Sequence, residues 1–331
     1  MTENTMDSTN SMNPRNHRNL IILCFMLCAL CYYLLFFTNG LNAQLKGTQI
    51  VYVDSITEDE EGENTPFPST VFVEDVMKEI YIIDSRGRII IYTADFFPLF
   101  TLDRRRGVES PLGLTVDKQG NIYVVQSPTK EIRKHRISVF NACLRWKRDI
   151  YLEGFEGAES LMINRIAVDK NGNLYVICHL SAGVIVLNNE GKFQEIIYPE
   201  ENKEVILANV SIDRKGRIYL VSEIESRIYV YDENRKFLFK FGEKGGSTGK
   251  LSRPVAVAVD NIREWIYVVD YMRHTISVYN AKDGTYLFEF GGLGWGEGWF
   301  QHPKDIATDS NGRILIADTF NDRIQVLKPK E

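Results

Sequence analysis

Six carboxylates recur at matched places along this 331-residue chain: Glu74, Asp117, Asp169, Asp213, Asp260 and Asp309, the five aspartates lying 44 to 52 residues apart. Carboxylates gathered at one axis by a repeat suit calcium, which takes about six to eight oxygen ligands. Four histidines in the same span, His135, His179, His274 and His302, raise the question of zinc, whose catalytic sites use about three protein ligands. Two features of the sequence argue against either metal. Each aspartate ends a short apolar run, and Gly120, Gly172, Gly216 or Gly312 follows four of them. At such a turn the carboxylate accepts backbone N–H groups and glycine supplies the positive φ, so the acids read as hairpin caps. The histidines fall in four separate units with no His-x-x-His pair. No bound cofactor is expected, with calcium or zinc at the axis as the alternative. Nor does a nucleophile elbow, P-loop or dinucleotide fingerprint occur in the strand and helix context it needs.

The elements that position these acids form a repeat. "PLGLTVDKQGNIYVVQ" from 111, "NRIAVDKNGNLYVIC" from 164, "NVSIDRKGRIYLVS" from 209, "PVAVAVDNIREWIYVVD" from 254 and "PKDIATDSNGRILIAD" from 303 align, and "STVFVEDVMKEIYIID" from 69 is a worn copy. Each supplies two strands around the acid. A third follows in "RISVF", "RIYVY", "TISVY" and "RIQVL", and a fourth in "KFLFKFG" and "TYLFEFG". Four short strands per unit without an intervening helix describe a propeller blade. The last copy stops after its third strand, and "QIVYVD" at 49–54 is placed to supply the fourth. The expected fold is all-β: a six-bladed β-propeller of four-stranded blades closed by an N-terminal strand, preceded by one transmembrane helix.

The pattern resembles the NHL-repeat β-propellers over about 48–327, most closely in "FQHPKDIATDSNGRILIADTFNDRIQVL". Gln126 and Cys178 depart from it where Asp270 and Asp318 match. The resemblance implies an architecture and no single reaction. Amidating lyases of the family bind zinc through histidines that follow the proline opening an inner strand. Here Leu112, Val255 and Lys304 follow Pro111, Pro254 and Pro303. Paraoxonase-like and gluconolactonase-like propellers offer a calcium-dependent analogy. A metal-dependent lyase or hydrolase at the central channel is therefore the alternative to a binding module.

Residues 20–37, "LIILCFMLCALCYYLLFF", carry no charge and are long enough to cross a thin bilayer. Arg15 and Arg18 precede them and Lys46 is the first basic residue after, which orients the chain N-terminus inside. The expected organisation is a cytoplasmic segment 1–19, an anchor 20–41 and an extracytoplasmic propeller 42–331; a leader cleaved after Ala43 is the rival. Cys24, Cys28 and Cys31 lie in the apolar run, leaving Cys143 and Cys178, whose pairing the sequence leaves open. A net charge of −5 gives no support for nucleic-acid binding.

What remains is surface. Loops joining strand two to strand three, and each blade to the next, share one face. It would carry His179, Glu223, Glu225, Tyr271, Met272, Arg273, Phe320 and the linker "GGLGWGEGWFQHP" at 291–303. Phe300 matches Leu251 in spacing and is expected in the core, whereas Trp295 and Trp299 have no counterparts and suit ligand contact or local packing. A basic rim on blade two, Arg133, Lys134, Arg136, Arg145, Lys147 and Arg148, reads as solvated or as a site for an anionic group. The acidic run 57–63 reads as a solvated loop. The functional expectation is a membrane-tethered extracytoplasmic module that recognises a protein, peptide or glycan through the loop face.

Overall fold

In the computed structural model the described residues are 50–179, 183–199 and 205–330; the anchor, the cytoplasmic segment and the cleavage alternative lie outside them. Among the described residues no helix is long and apolar enough to cross a membrane. Residues 50–330 form six four-stranded antiparallel sheets. The innermost strands are Thr70–Val73, Pro111–Val116, Ile163–Val168, Asn209–Ile212, Pro254–Asp260 and Asp305–Thr308, one for each of blades I to VI. Each contacts the next, and the sixth contacts the first, so the sheets close into a ring.

The second strands are apolar up to their last residue because both faces of a blade are covered by its neighbours, which buries both sets of alternating side chains. Ile80–Ile83, Leu174–Cys178 and Ile218–Ser222 are buried throughout, whereas the outer strand Phe237–Phe241 is largely exposed. The core accordingly sits between blades: Tyr267 and Val269 of blade V share one cluster with Ile314 and Ile316 of blade VI. In all six blades the ladder between the third and fourth strands slips once, as at Val139/Phe140 and Val278/Tyr279, which bends the outer strand around the rim.

Blade VI is completed from the other end of the propeller. Its order is Ile50–Ile56, Arg323–Pro329, Ile314–Asp318, Asp305–Thr308. Register runs from Ile50 opposite Pro329 to Ile56 opposite Ile324, as the missing-strand argument requires.

The recurring acids are caps. In Asp117, Asp169, Asp213 and Asp309 one oxygen accepts the N–H groups two and four residues on, at 2.8–2.9 Å. Glu74 and Asp260 accept from the residues two and three on, Glu74 with Oε1 for Val76 and Oε2 for Met77, Asp260 with one oxygen for Ile262 and Arg263. The second oxygen of Asp117 and Asp213 takes the hydroxyl of Tyr123 or Tyr219 from the next strand. One acid thus fixes the turn and the strand leaving it.

One detail differs from the sequence reading, and a second answers a question it left open. The run 57–63 is not wholly solvated: Asp59 is buried, accepts the Glu61 and Glu63 N–H groups and receives Arg88. Cys178 is buried and Cys143 exposed, and the two are unpaired; burial pushes the Cys178 thiol up to about 12.

Candidate functional site

On the loop face, second strands end in residues that hold the incoming linker. Asp270 accepts the N–H groups of Ser252 and Arg253, and Asp318 accepts that of Gln301 at 2.7 Å. Gln126, the departure noted in blade II, does equivalent work with an amide: it accepts the Glu109 N–H and donates to Gly107 O. Linkers are therefore fixed against the turns, and side chains from both meet.

The result is an unbroken run of contacts from blade IV to blade I. Glu223 pairs with Arg253 at 2.5 Å, and the Arg253 guanidinium lies 5.2 Å over the Tyr271 ring. Tyr271 faces His302 at 4.6 Å, His302 meets Phe320 at 5.1 Å, and Phe320 meets Phe67 edge-on at 5.7 Å. His274 lies beneath, its Nδ1 accepting the His302 N–H at 2.9 Å. Burial, then the neighbouring His302, hold His274 below the usual histidine range, and its Nδ1, acting as an acceptor, carries no proton. Phe67, Met162, Ile224, Met272, Leu293, Trp295 and Phe320 are all exposed on this face, and of these Phe67 and Phe320 touch.

The expected site residues divide. Tyr271, Phe320 and Glu223 are in the run, joined by Phe67, Arg253, His274 and His302, which the sequence reading did not select as a group. Trp295 stands at the linker tip, 82% exposed. Trp299 does not: its ring is half-buried against Gly292 and Gly294, and its carbonyl accepts from Gln325 and Arg323. Arg273 braces the blade instead of presenting its charge, pairing through both terminal nitrogens with Glu289 at 2.8 Å. His179 is exposed on blade III, outside the run.

The basic rim is not one patch. Arg133 and Lys134 belong to the strand two to three loop, whereas Arg145, Lys147 and Arg148 lie on the turn and outer strand reached from the opposite face. Arg136 leaves the rim altogether: it is 3% exposed and faces Asp149 at 3.7 Å within the blade.

The six inner strands enclose a central channel of about 640 Å³. At its loop-face end Arg165 and Asp305, from opposite blades, face one another, with Thr70 on the inner strand next to that of Asp305. Burial pushes the Asp305 carboxyl up to about 6, against the pull of Arg165 and of the Ile306 and Val71 N–H groups. Burial and the Arg165 charge together depress Lys304. At the far end Arg214 of blade IV pairs with Asp75 of blade I across the axis, at 2.7 Å. Among the described residues no group of three His, Cys, Asp or Glu side chains is placed to hold a metal ion.

The raised Asp305 gives a pH prediction. Its native pKa exceeds the unfolded value of 3.8, so its contribution is complete below about pH 4 and is lost as pH rises through about 6. Asp305→Asn, which cannot ionise but gives up one of the two N–H acceptors, should gain on the parent in melting temperature between pH 4 and pH 7.5. The ceiling is about 3 kcal/mol, reduced by solvent in the channel. Equal gaps at both pH values in thermal scans would show that the carboxyl is not held up.

Comparison with known proteins agrees with this architecture. Residues 199–291 match a family model described as a 6-bladed beta-propeller, and residues 300–327 match the NHL repeat. Protein brain tumor of Drosophila melanogaster is 31% identical over 90 residues, 27% of this chain and 8% of that protein. The chain therefore spans under a tenth of that relative's length. An auxiliary nutrient binding protein from Bacteroides ovatus superposes with a TM-score of 0.61 at 15% identity, covering 85% of this chain and 77% of that one. Virginiamycin B lyase from Staphylococcus aureus gives 0.56 at 13% identity, covering 84% and 98%. At such identities the likeness is one of fold, and the chain is a six-bladed β-propeller whose last blade carries an NHL repeat.

Proposed function

We propose that this chain is a membrane-tethered binding module, held by residues 20–41 with the propeller outside the cytoplasm, that recognises a protein, peptide or glycan through its loop face. The observation that carries the reading is the contact run from Glu223 to Phe67, set among exposed large apolar side chains. Aromatic rings held rigid by their neighbours lose little freedom on binding and provide the anchors on which recognition energy concentrates. The nutrient-binding propeller of Bacteroides ovatus supports the same role by analogy of fold.

Peptide and glycan arrays probed with the purified chain, followed by titration of a hit, test it. The double variant Trp295→Ser, Phe320→Ser should bind at least about tenfold more weakly, on the order of 1.4 kcal/mol, at unchanged melting temperature. Undiminished affinity would remove the loop face from recognition. Chelator-sensitive turnover of a peptide or lactone would instead favour the channel-centred lyase or hydrolase.

A further inference from the structure

The channel holds a second arrangement that the loop-face reading leaves unused. Among the described residues, every hydrogen bond of the Arg165 side chain is made through one terminal nitrogen, Nη1, to Leu112 O at 2.8 Å and to Asn164 O and Oδ1 at 3.2 Å. Its Nε is buried without a protein acceptor. The edge that matches a carboxylate in a two-pronged pair is thus left over, while the opposite edge is anchored to backbone. Gly113 makes the anchoring possible: a Cβ there would lie 3.2 Å from Asn164 O and 3.6 Å from Arg165 Cδ.

The surroundings point the same way. Asp305 makes no ion pair with Arg165 within 4.0 Å and directs its carboxylate oxygens to the Val71 and Ile306 N–H groups. Thr70 Oγ1, on the neighbouring inner strand, is also buried without a partner. Of these groups Arg165 is the cation and Asp305 the acid that line the space. Below them the lining mixes apolar and polar side chains of the inner strands, Val73, Val168 and Ile212 with Ser211 and Thr308. About 640 Å³ falls in the range of small-molecule sites, roughly 300–1,000 Å³.

We propose that the loop-face end of the central channel binds a small organic carboxylate, its carboxyl group on the outer edge of Arg165 with Thr70 as a further donor, and its body on the apolar part of the wall formed by the inner strands. A second hydrogen-bond donor on the ligand, such as an α-ammonium group, would face Asp305. An apolar acid and an α-amino acid share the carboxylate chemistry, and matched probes separate them.

The test is calorimetric titration of the full chain in nonionic detergent with hexanoate and with norleucine, each beside its amide, hexanamide or norleucinamide. Saturable one-to-one binding of either acid, with its amide at least about tenfold weaker, is expected. A preference for norleucine assigns the ammonium group to Asp305, and a preference for hexanoate assigns the ligand to the apolar part of the wall. Arg165→Met should lower acid affinity at least about tenfold and leave the amides unchanged. Should that variant fail to fold, Thr70→Val, which preserves shape, is expected to weaken the acid about threefold at unchanged melting temperature. No saturable binding of either acid, equal affinity for acid and amide, or binding unmoved in the folded variants would overturn the proposal. Because Trp295 and Phe320 are outside the channel, the double variant on the loop face should bind the acids as the parent does.

Discussion

Replacing Ile50–Ile56 by seven glycine and serine residues in the otherwise intact chain should lower the melting temperature of the propeller by roughly 10 °C or more. The strand pairs with Arg323–Pro329 from Ile50 opposite Pro329 to Ile56 opposite Ile324. Ile50 is buried with the blade V and VI cluster, and Ile56 with the cluster that joins blade VI to blade I. Burying such a side chain contributes about 1.5–3 kcal/mol, and each ladder hydrogen bond about 0.5–1.5 kcal/mol net. Seven residues regaining backbone freedom offset part of this. The apolar side chains that the strand covers in both clusters are uncovered as well, so a net loss of about 3–5 kcal/mol is expected, and for a domain of this size one kcal/mol moves the midpoint by about 2–4 °C. The variant also leaves Arg323–Pro329 as an unpaired edge, so concentration-dependent association should accompany the loss. Melting within about 2 °C of the parent, by calorimetry or circular dichroism, would mean that the strand decorates the ring and does not close it.

That strand was legible in the sequence because a repeat makes a missing part countable. The caps were legible for a related reason: an acid between an apolar run and a glycine has one local role, and Asp117, Asp169, Asp213 and Asp309 perform it with the same two bonds. The site was harder to read because its members come from different registers of the repeat. His274 ends a strand two to three turn and His302 sits in a linker 28 residues later. A signal was nevertheless present. Arg253 and His302 occupy the same place, immediately before Pro254 and Pro303, and Ser226, His274 and Asp322 share a left-handed conformation immediately before their third strands. Comparing copies position by position would have put Arg253 and His302 on one face beside the turns. The same comparison corrects Arg136. It opens a third strand as Arg227 and Arg323 do, and those two arginines also bond within their blade or its linker, to Gly242 O and to Asp318. Charge density along the chain suggested a rim, but the repeat position determines where that side chain goes.

Phe300, Trp299 and Trp295 lie within six residues and should nevertheless respond in descending order to serine substitution. Phe300 is 0% exposed and packs with Phe290 and Ile306, its ring set on the backbone of Gly291, where a Cβ would approach to 2.6 Å. The preceding linker is built alike, with Leu251 buried on Gly242, and the isolated bridges Lys244–Leu251 and Leu293–Phe300 occupy matching places. Phe300→Ser removes an aromatic side chain from a site that the ring cannot readily collapse to fill, and leaves a hydroxyl there. A loss of about 3–5 kcal/mol is expected, with blade VI loosened first. Trp299→Ser loses only a half-buried ring on Gly292 and Gly294, while the carbonyl that accepts from Gln325 and Arg323 stays in place. A loss of about 1–2 kcal/mol follows. Trp295, at the exposed tip, should change stability by less than about 0.5 kcal/mol. Denaturant unfolding of the three variants measures the series, and hydrogen exchange at Asp305–Thr308 and Ile314–Asp318 tests whether blade VI opens ahead of the rest. If Trp295→Ser destabilises as much as Phe300→Ser, the linker tip is structural, and the affinity loss expected of the loop-face double variant would reflect a damaged fold instead of a lost contact.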